Sequence, residues 1–275
     1  MTTVPPLPAG SGQARAFARV MRVLVIASQK GGSGKTTLSG HLAVEAELAG
    51  QGPVALIDTD PQGSLAQWWN AREAAAPAFV QSSLASLRDD LARLREQGFR
   101  LVVIDTPPAV TRAISDVVAH ADLVILPTRP SPHDLRAVGA TVDILEARGK
   151  AMIFVLNGAT ARARITGEAA VALSQHGTVA PVTVHHRVNF ASSMIDGRTV
   201  MELEPEGASA REIRALWCYV QERLQRRHVV ALPAAVQEGA PAALPFVAIP
   251  NPIAPEGLRP TQPFGRRGRV EAQAF

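Results

Sequence analysis

Cysteine, tyrosine and long apolar runs are what this 275-residue chain has least of. Its single cysteine, Cys218, excludes an internal disulfide framework and any cysteine-rich zinc or iron–sulfur site built within one chain. A reducing cytoplasm fits that usage. No stretch approaches the roughly 18 consecutive apolar residues of a membrane span. The opening "MTTVPPLPAGSGQARAFARV" lacks the basic-then-apolar order of a secretory signal. A soluble, cytoplasmic protein is expected. The net charge of +4 is a small excess for this length, so it permits attraction to nucleic acid without requiring it.

What is present is a set of short, nearly continuous β-branched or leucine runs: "RVLVIAS" (22–28), "VALID" (54–58), "LVVID" (101–105), "LVILP" (123–127) and "MIFVLN" (152–157). Such runs mark strands covered on both faces, as in a parallel sheet. Between them lie amphipathic segments, among them 36–50, 84–98 and 131–149, each closing at a glycine, where helices commonly end. Strand and helix alternate throughout. Right-handed crossovers then predict a doubly wound, mostly parallel sheet with helices on both faces, a three-layer α/β sandwich with ligands outside the carboxyl ends of its strands. Residues 1–20, rich in Pro, Gly and Ala, read as a flexible leader, and the folded domain is expected over 21–228. From 229 to 275 eight prolines fall between positions 233 and 263, too many for helix or central strand, so a disordered tail is expected.

"SQKGGSGKTT" (28–37) follows a strand and opens a helix, so its backbone N–H groups and the helix N-terminus converge where an anion is favoured. Lys35 brings a point charge to a phosphate chain, and Thr36 a hydroxyl to where Mg²⁺ would sit. The plain phosphate-loop pattern fails at its first glycine position, which here is Gln29. "LIDTDPQGS" (56–64) ends a strand with Asp58 and Asp60, and "LVVIDTPP" (101–108) ends another with Asp105, a carboxylate placed to hold Mg²⁺, usually through water. The two aspartates before Pro61 also suit a capping or turn role, and Asp105 the capping of the next helix.

The stretch Lys30, Gly31, Gly32, Ser33, Gly34, Lys35, Thr36, Thr37 resembles the deviant Walker A motif of the ParA/MinD group of P-loop ATPases, and Asp58 to Gly63 resembles that group's DxDPQG element. The resemblance covers roughly residues 21–226 and is nearest to small ParA-type partition ATPases without an N-terminal helix-turn-helix domain. It implies a P-loop NTPase fold, ATP and Mg²⁺ as ligands, and weak, partner-stimulated hydrolysis of ATP to ADP and phosphate. It further implies that residues 31–37 bind nucleotide and that Lys30 reaches across an ATP-dependent homodimer to the partner's phosphates. Asp60 would orient the attacking water, Asp105 and Thr36 would hold the metal, and Asp58 would lie in its outer shell. Asn157, ending a strand, would lie near adenine, though a backbone-bonded amide explains it nearly as well.

The same resemblance places the proline stretch of Pro127, Pro130 and Pro132 near the dimer contact, with a rigid loop feeding a helix as the alternative. It makes Arg187 a candidate for DNA or partner contact. Arg211, Arg214, Arg223, Arg226 and Arg227 spread around the last helix without forming a basic stripe, so nonspecific DNA binding rests mainly on the resemblance. The expected protein is a nucleoid-associated ATP switch that positions or segregates DNA or another cargo with a ParB-like or other small adaptor. The alternative is a MinD-like or regulatory ATPase controlling membrane or partner attachment. The lone Cys218 excludes a cluster-bridged dimer, and the lone Tyr219 excludes a tyrosine-cluster kinase. The proline-interrupted end, with basic residues gathered at "GRRGR" (265–269), argues against stable membrane association.

Overall fold

The computed structural model describes residues 20–108 and 112–230. In chain order the elements are β1 (Arg22–Ile26), α1 (Lys35–Leu48), β2 (Val54–Asp58), α2 (Ser64–Asn70), β3 (Ala78–Phe79), α3 (Leu87–Glu96), β4 (Leu101–Asp105) and α4 (Arg112–Val118). There follow β5 (Leu123–Thr128), α5 (Pro132–Ala137), α6 (Gly139–Ala147), β6 (Met152–Ala159), α7 (Arg164–Ser174), β7 (Thr178–Val179), β8 (Val184–His185), α8 (Val188–Ser193), α9 (Val200–Leu203) and α10 (Ala208–Val230). A 3₁₀ turn, Met194–Asp196, follows α8.

The strands form one sheet in the order β3-β2-β4-β1-β5-β6-β7, with β8 pairing β6 off that path. Every described pairing is parallel. Alternation within the runs decides which layer each side chain joins. Leu24, Ile26, Leu56, Val103 and Ile125 pack with α1, α9 and α10. Their neighbours Val23, Val25, Ile57, Ile104 and Val124 pack with α3, α4 and α6 on the other face. A strand buried on both faces must be apolar at consecutive positions, which accounts for the continuous runs. The mostly parallel, doubly covered sheet is the expected fold.

Two expectations need correction. The segment 131–149 is not one helix but α5 and α6, broken where Val138 N–H bonds to Leu135 O at 3.4 Å and Thr141 N–H to Val138 O at 3.0 Å. These are tight i−3 contacts, placed at the helix-weakening Gly139. α10 also runs on to Val230, past the boundary expected at 228. The leader at 1–20, apart from Val20, and the tail beyond 230, with "GRRGR", lie outside the described residues. The two-residue strands β3, β7 and β8 carry too little pattern to be read from sequence.

For function, the important consequence is where β1 stands. β4 flanks it on one side and β5 on the other, because the chain winds outward to β3, returns to β4 and then crosses to β5. The crevice at such a switch point opens at the carboxyl ends of the strands. The β1–β4 register pairs Ile26 with Asp105, and the β2–β4 register pairs Asp58 with Asp105. Both carboxylates therefore end at one edge beside the loop that leaves β1.

Candidate functional site

The loop between β1 and α1 is held by its neighbours. Gly34 precedes α1 at φ 96°, in the left-handed region, and a Cβ there would stand 2.0 Å from the Asn157 amide nitrogen. That amide donates to the Ser33 carbonyl at 2.7 Å, tying the end of β6 to the loop. Glycine is needed at 34 both for its conformation and for the space Asn157 occupies. The Asn157 amide thus makes the backbone bond that the sequence offered beside an adenine contact.

Lys35 is buried at 6% exposure, and its ammonium donates back to the Lys30 carbonyl at 3.4 Å. Burial pushes its pKa down, against the pull of Asp105 and Asp60. Lys30 is exposed, and its ammonium has no partner among the described residues. Gly31 and Gly32 are exposed, Thr37 is half-buried, and the buried Ser33 hydroxyl lacks a hydrogen-bond partner.

The carboxylates meet the loop from the β2 and β4 side. Asp105, 1% exposed, accepts the Thr36 hydroxyl on Oδ2 at 2.6 Å, while Oδ1 is buried with no partner. Desolvation pushes its pKa up to about 7, and the Asp58 charge adds to that push, while the Thr36 hydrogen bond and Lys35 oppose it. An orphaned carboxylate oxygen beside a hydroxyl is half of a hard-cation site: it offers oxygen ligands and leaves the rest to water and phosphate. Among the described residues no cluster of three or more His, Cys, Asp or Glu could hold a metal on its own.

Asp58 has the capping role the sequence left open. Its Oδ1 accepts Asp60 N–H at 3.0 Å, and its Oδ2 accepts Leu65 and Ala66 N–H at 3.0 and 3.1 Å, at the start of α2. Oδ1 keeps capacity for a further donor such as a metal-bound water. Asp60 accepts Gln62 N–H at 3.0 Å and is half-buried, on a cleft of about 480 Å³ that Asp58 also lines. The Thr59 hydroxyl on Asp105 O (2.7 Å) and the Thr106 hydroxyl on Ile26 O (2.9 Å) fasten β2, β4 and β1 where the site forms.

A family model for the CobQ/CobB/MinD/ParA nucleotide binding domain matches residues 24–200. The chain belongs to this family. The carboxysome-distribution protein A of Halothiobacillus neapolitanus is 31% identical over 198 residues, which is 69% of this chain and 91% of that protein. The protein of the same name from Gloeobacter kilaueensis is 46% identical over 123 residues, 44% of this chain and only 55% of that one. The septum site-determining protein MinD of Pyrococcus horikoshii, solved with Mg-ADP, superposes at a TM-score of 0.62 with 18% identity over 74% of this chain and 96% of its own. That likeness establishes a shared fold with the MinD/ParA nucleotide-binding domains.

The arginines that the sequence offered for DNA contact fare differently in this MinD/ParA-type domain. Arg187 forms a two-point pair with Glu212 at 2.6 and 2.7 Å, and His185 joins the same carboxylate at 2.7 Å. The pair engages its guanidinium at two points while 30% of the side chain stays exposed. Arg211 bonds the Glu206 carbonyl, and Arg214 bonds the Pro205 carbonyl at 2.7 Å. Arg223 lies 5.4 Å over the Tyr219 ring, and Arg226 pairs with Glu222 at 3.5 Å. The side chain of Arg227 lies outside the described residues. Pro127 lines a narrow cleft with Lys30 and Asp134, so the proline stretch begins beside the loop.

Sequence reasoning missed Arg129. Its side chain runs from Gly158 to Gly32 across the face of the loop. A cation immediately beyond the carboxyl end of a central strand, before a proline, was the available signal.

Proposed function

We propose that the chain is an ATP-hydrolysing switch that dimerises around ATP, binds DNA without sequence preference in that state, and releases it when an adaptor protein stimulates hydrolysis. The observation that carries this reading is the pair of lysines. Lys35 is drawn into the loop, so Lys30, exposed and without a partner among the described residues, is free to serve phosphates bound by a second copy.

In this reading residues 31–37 and the N-terminus of α1 hold the phosphates, with Lys35 as the local charge. Thr36 and Asp105 hold Mg²⁺, whose charge helps neutralise the phosphate chain, and the partnerless Asp105 oxygen supports that assignment. Asp58 braces the Asp60 turn and offers its remaining lone pair to the metal's water shell. Asp60 orients water for attack, and Lys30, supplied in trans, places a cation on the phosphoryl oxygens as charge develops. Asn157 keeps the Ser33 carbonyl turned away from the anion by holding it in a hydrogen bond.

Relatives named for carboxysome distribution make a protein assembly as reasonable a cargo as a plasmid or chromosome. Nucleoid association follows from DNA binding. Among the described residues no helix is long and apolar enough to cross a membrane.

The deciding experiment measures retention of unrelated DNA duplexes with ATP and Mg²⁺, with ADP, and without nucleotide. Retention only with ATP, falling steeply between about 50 and 200 mM salt, is expected. Equal retention in all three states removes the switch, and ATP-dependent liposome binding without DNA binding establishes the MinD-like alternative.

A further inference from the structure

Arg129 follows β5 directly, and its backbone is fixed by Pro130 and by Ser131 N–H donating to the Arg129 carbonyl at 2.8 Å. From that base the side chain crosses two glycines. Nε and Cγ lie 3.6 and 3.7 Å from where a Cβ would stand on Gly158, and Nη2 lies 3.7 Å from the same point on Gly32. Both glycines have positive φ, +65° and +72°, so the guanidinium lies against bare loop backbone. The residue is exposed, and no carboxylate among the described residues pairs with it. Arg72, Arg187, Arg198 and Arg226, by contrast, each meet an acid.

We propose that Arg129 binds the nucleotide's phosphate chain within its own subunit, from the β5–β6 side, opposite Asp58, Asp60 and Asp105. The inference rests on the ATP reading above and adds a cation to it. Lys35 works from inside the loop, Arg129 from its outer face in cis, and Lys30 in trans. A planar fork with five donors suits two phosphate oxygens at once, whereas an ammonium offers only a point charge. The triphosphate carries more negative charge than the diphosphate, so Arg129 strengthens ATP binding more than ADP binding.

The test is equilibrium binding of fluorescent ATP and ADP analogues with Mg²⁺ to the full chain, made in a Lys30→Ala background so that dimerisation does not contribute. Arg129→Ala is expected to weaken ATP binding about tenfold and ADP binding less. Arg129→Lys should fall between, and Arg129→Glu should be weaker than either. The nucleotide-free unfolding temperature should not move, because the guanidinium has no partner to lose. ATP affinity within about twofold of the parent in both Arg129→Ala and Arg129→Glu overturns the proposal. Normal nucleotide affinity with lost dimerisation, when Arg129→Ala is made alone, overturns the cis assignment and gives Arg129 to the partner. If the unmodified chain binds no ATP, or Lys35→Ala binds it equally well, the underlying ATP reading fails, whatever Arg129 does.

Discussion

The carboxyl edge around the loop and the α8–α10 side of the molecule treat their charged groups in opposite ways. Around Arg187, Glu212 and His185, and around Arg72, Glu202 and Thr199, each charge meets its complement inside the chain. At the loop, Asp105 Oδ1 and the Ser33 hydroxyl are buried without partners, and the Lys30 and Arg129 cations face outward without acids. Burying polar capacity unpaired costs roughly 1–3 kcal/mol per group. Buried atoms without a hydrogen bond also occur away from the loop, at Glu45 Oε2 and Trp217 Nε1, so what sets the loop apart is their coincidence with exposed cations that no acid among the described residues pairs.

The largest expected effect follows from removing the one buried cation at the loop. Lys35→Ala should weaken ATP binding by about a hundredfold or more, since charge-assisted bonds to phosphate are lost and the Asp105 and Asp60 charges go unopposed. Fluorescent-nucleotide titration checks it. The nucleotide-free fold should persist, because the hydrogen bond Lys35 makes is a long one to the Lys30 carbonyl, at 3.4 Å. If Lys35→Ala instead unfolds the chain, the loop is held by internal pairing and the contrast fails.

The two regions meet at His41. It is fully buried on α1, donates from Nδ1 to the Thr37 carbonyl at 2.8 Å and accepts the Val200 N–H on Nε2 at 3.2 Å. Burial pushes its pKa down to about 4, with the Thr37 carbonyl and the Glu202 charge opposing and Arg72 assisting. The unfolded chain takes up the proton near pH 6.5 and the native state resists it to about pH 4. The His41 contribution to stability is therefore flat above pH 6.5 and falls through this window as pH drops, by about 3 kcal/mol at its acid end, while Asp105, raised to about 7, contributes a slope of opposite sign. In urea unfolding across pH 4–8, the difference between the parent and His41→Leu, which is less stable at neutral pH, should show the His41 slope. An unchanged slope in the variant assigns the acid sensitivity elsewhere.

Legibility divides along the same line. Strand positions and the loop could be read from sequence because each rests on local pattern: continuous apolar runs, the order of glycines and lysines, and aspartates at strand ends. The break at Gly139 and the cross-chain partners could not. Glu212 lies 25 residues from Arg187, and Asn157 lies 124 residues from Ser33, so nothing local announces either contact. Arg129 was hidden for a further reason: its place depends on two glycines distant in sequence, Gly32 in the loop and Gly158 near the end of β6. Asp58 reads as a strand-end acid with capping among its roles, and the path of α2 shows which atom does it: Oδ2 caps that helix while Oδ1 accepts the Asp60 N–H.

Glu212→Ala tests the paired side directly. It strands the Arg187 guanidinium and removes the acceptor of His185, at side-chain exposures of 30% for Arg187 and 17% for Glu212. Breaking a fully buried pair costs about 3–5 kcal/mol, and partial solvation reduces this to about 2 kcal/mol. Denaturant unfolding should show the loss, while nucleotide affinity should stay within about twofold because the pair does not touch the loop. A loss of ATP binding without a loss of stability would place Arg187 and Glu212 in the site after all.

The smallest effect concerns α10, where pairing is weak enough to exchange. Arg226 is 74% exposed and its partner Glu222 is 63% exposed, at 3.5 Å, four residues apart on one helix. Such pairs are worth at most about 0.5 kcal/mol, so Arg226→Ala should leave stability within that margin. For the same reason the guanidinium gives up its carboxylate easily for a DNA phosphate, which Arg187, held at two points by a half-buried acid, does not. With ATP and Mg²⁺ present, Arg226→Ala should weaken retention of all duplexes alike and lower the slope of log affinity against log salt by about one for each contact removed. An unchanged slope would mean that exposed arginines on α10 do not face DNA, and DNA contact would then have to come from other surfaces of the dimer.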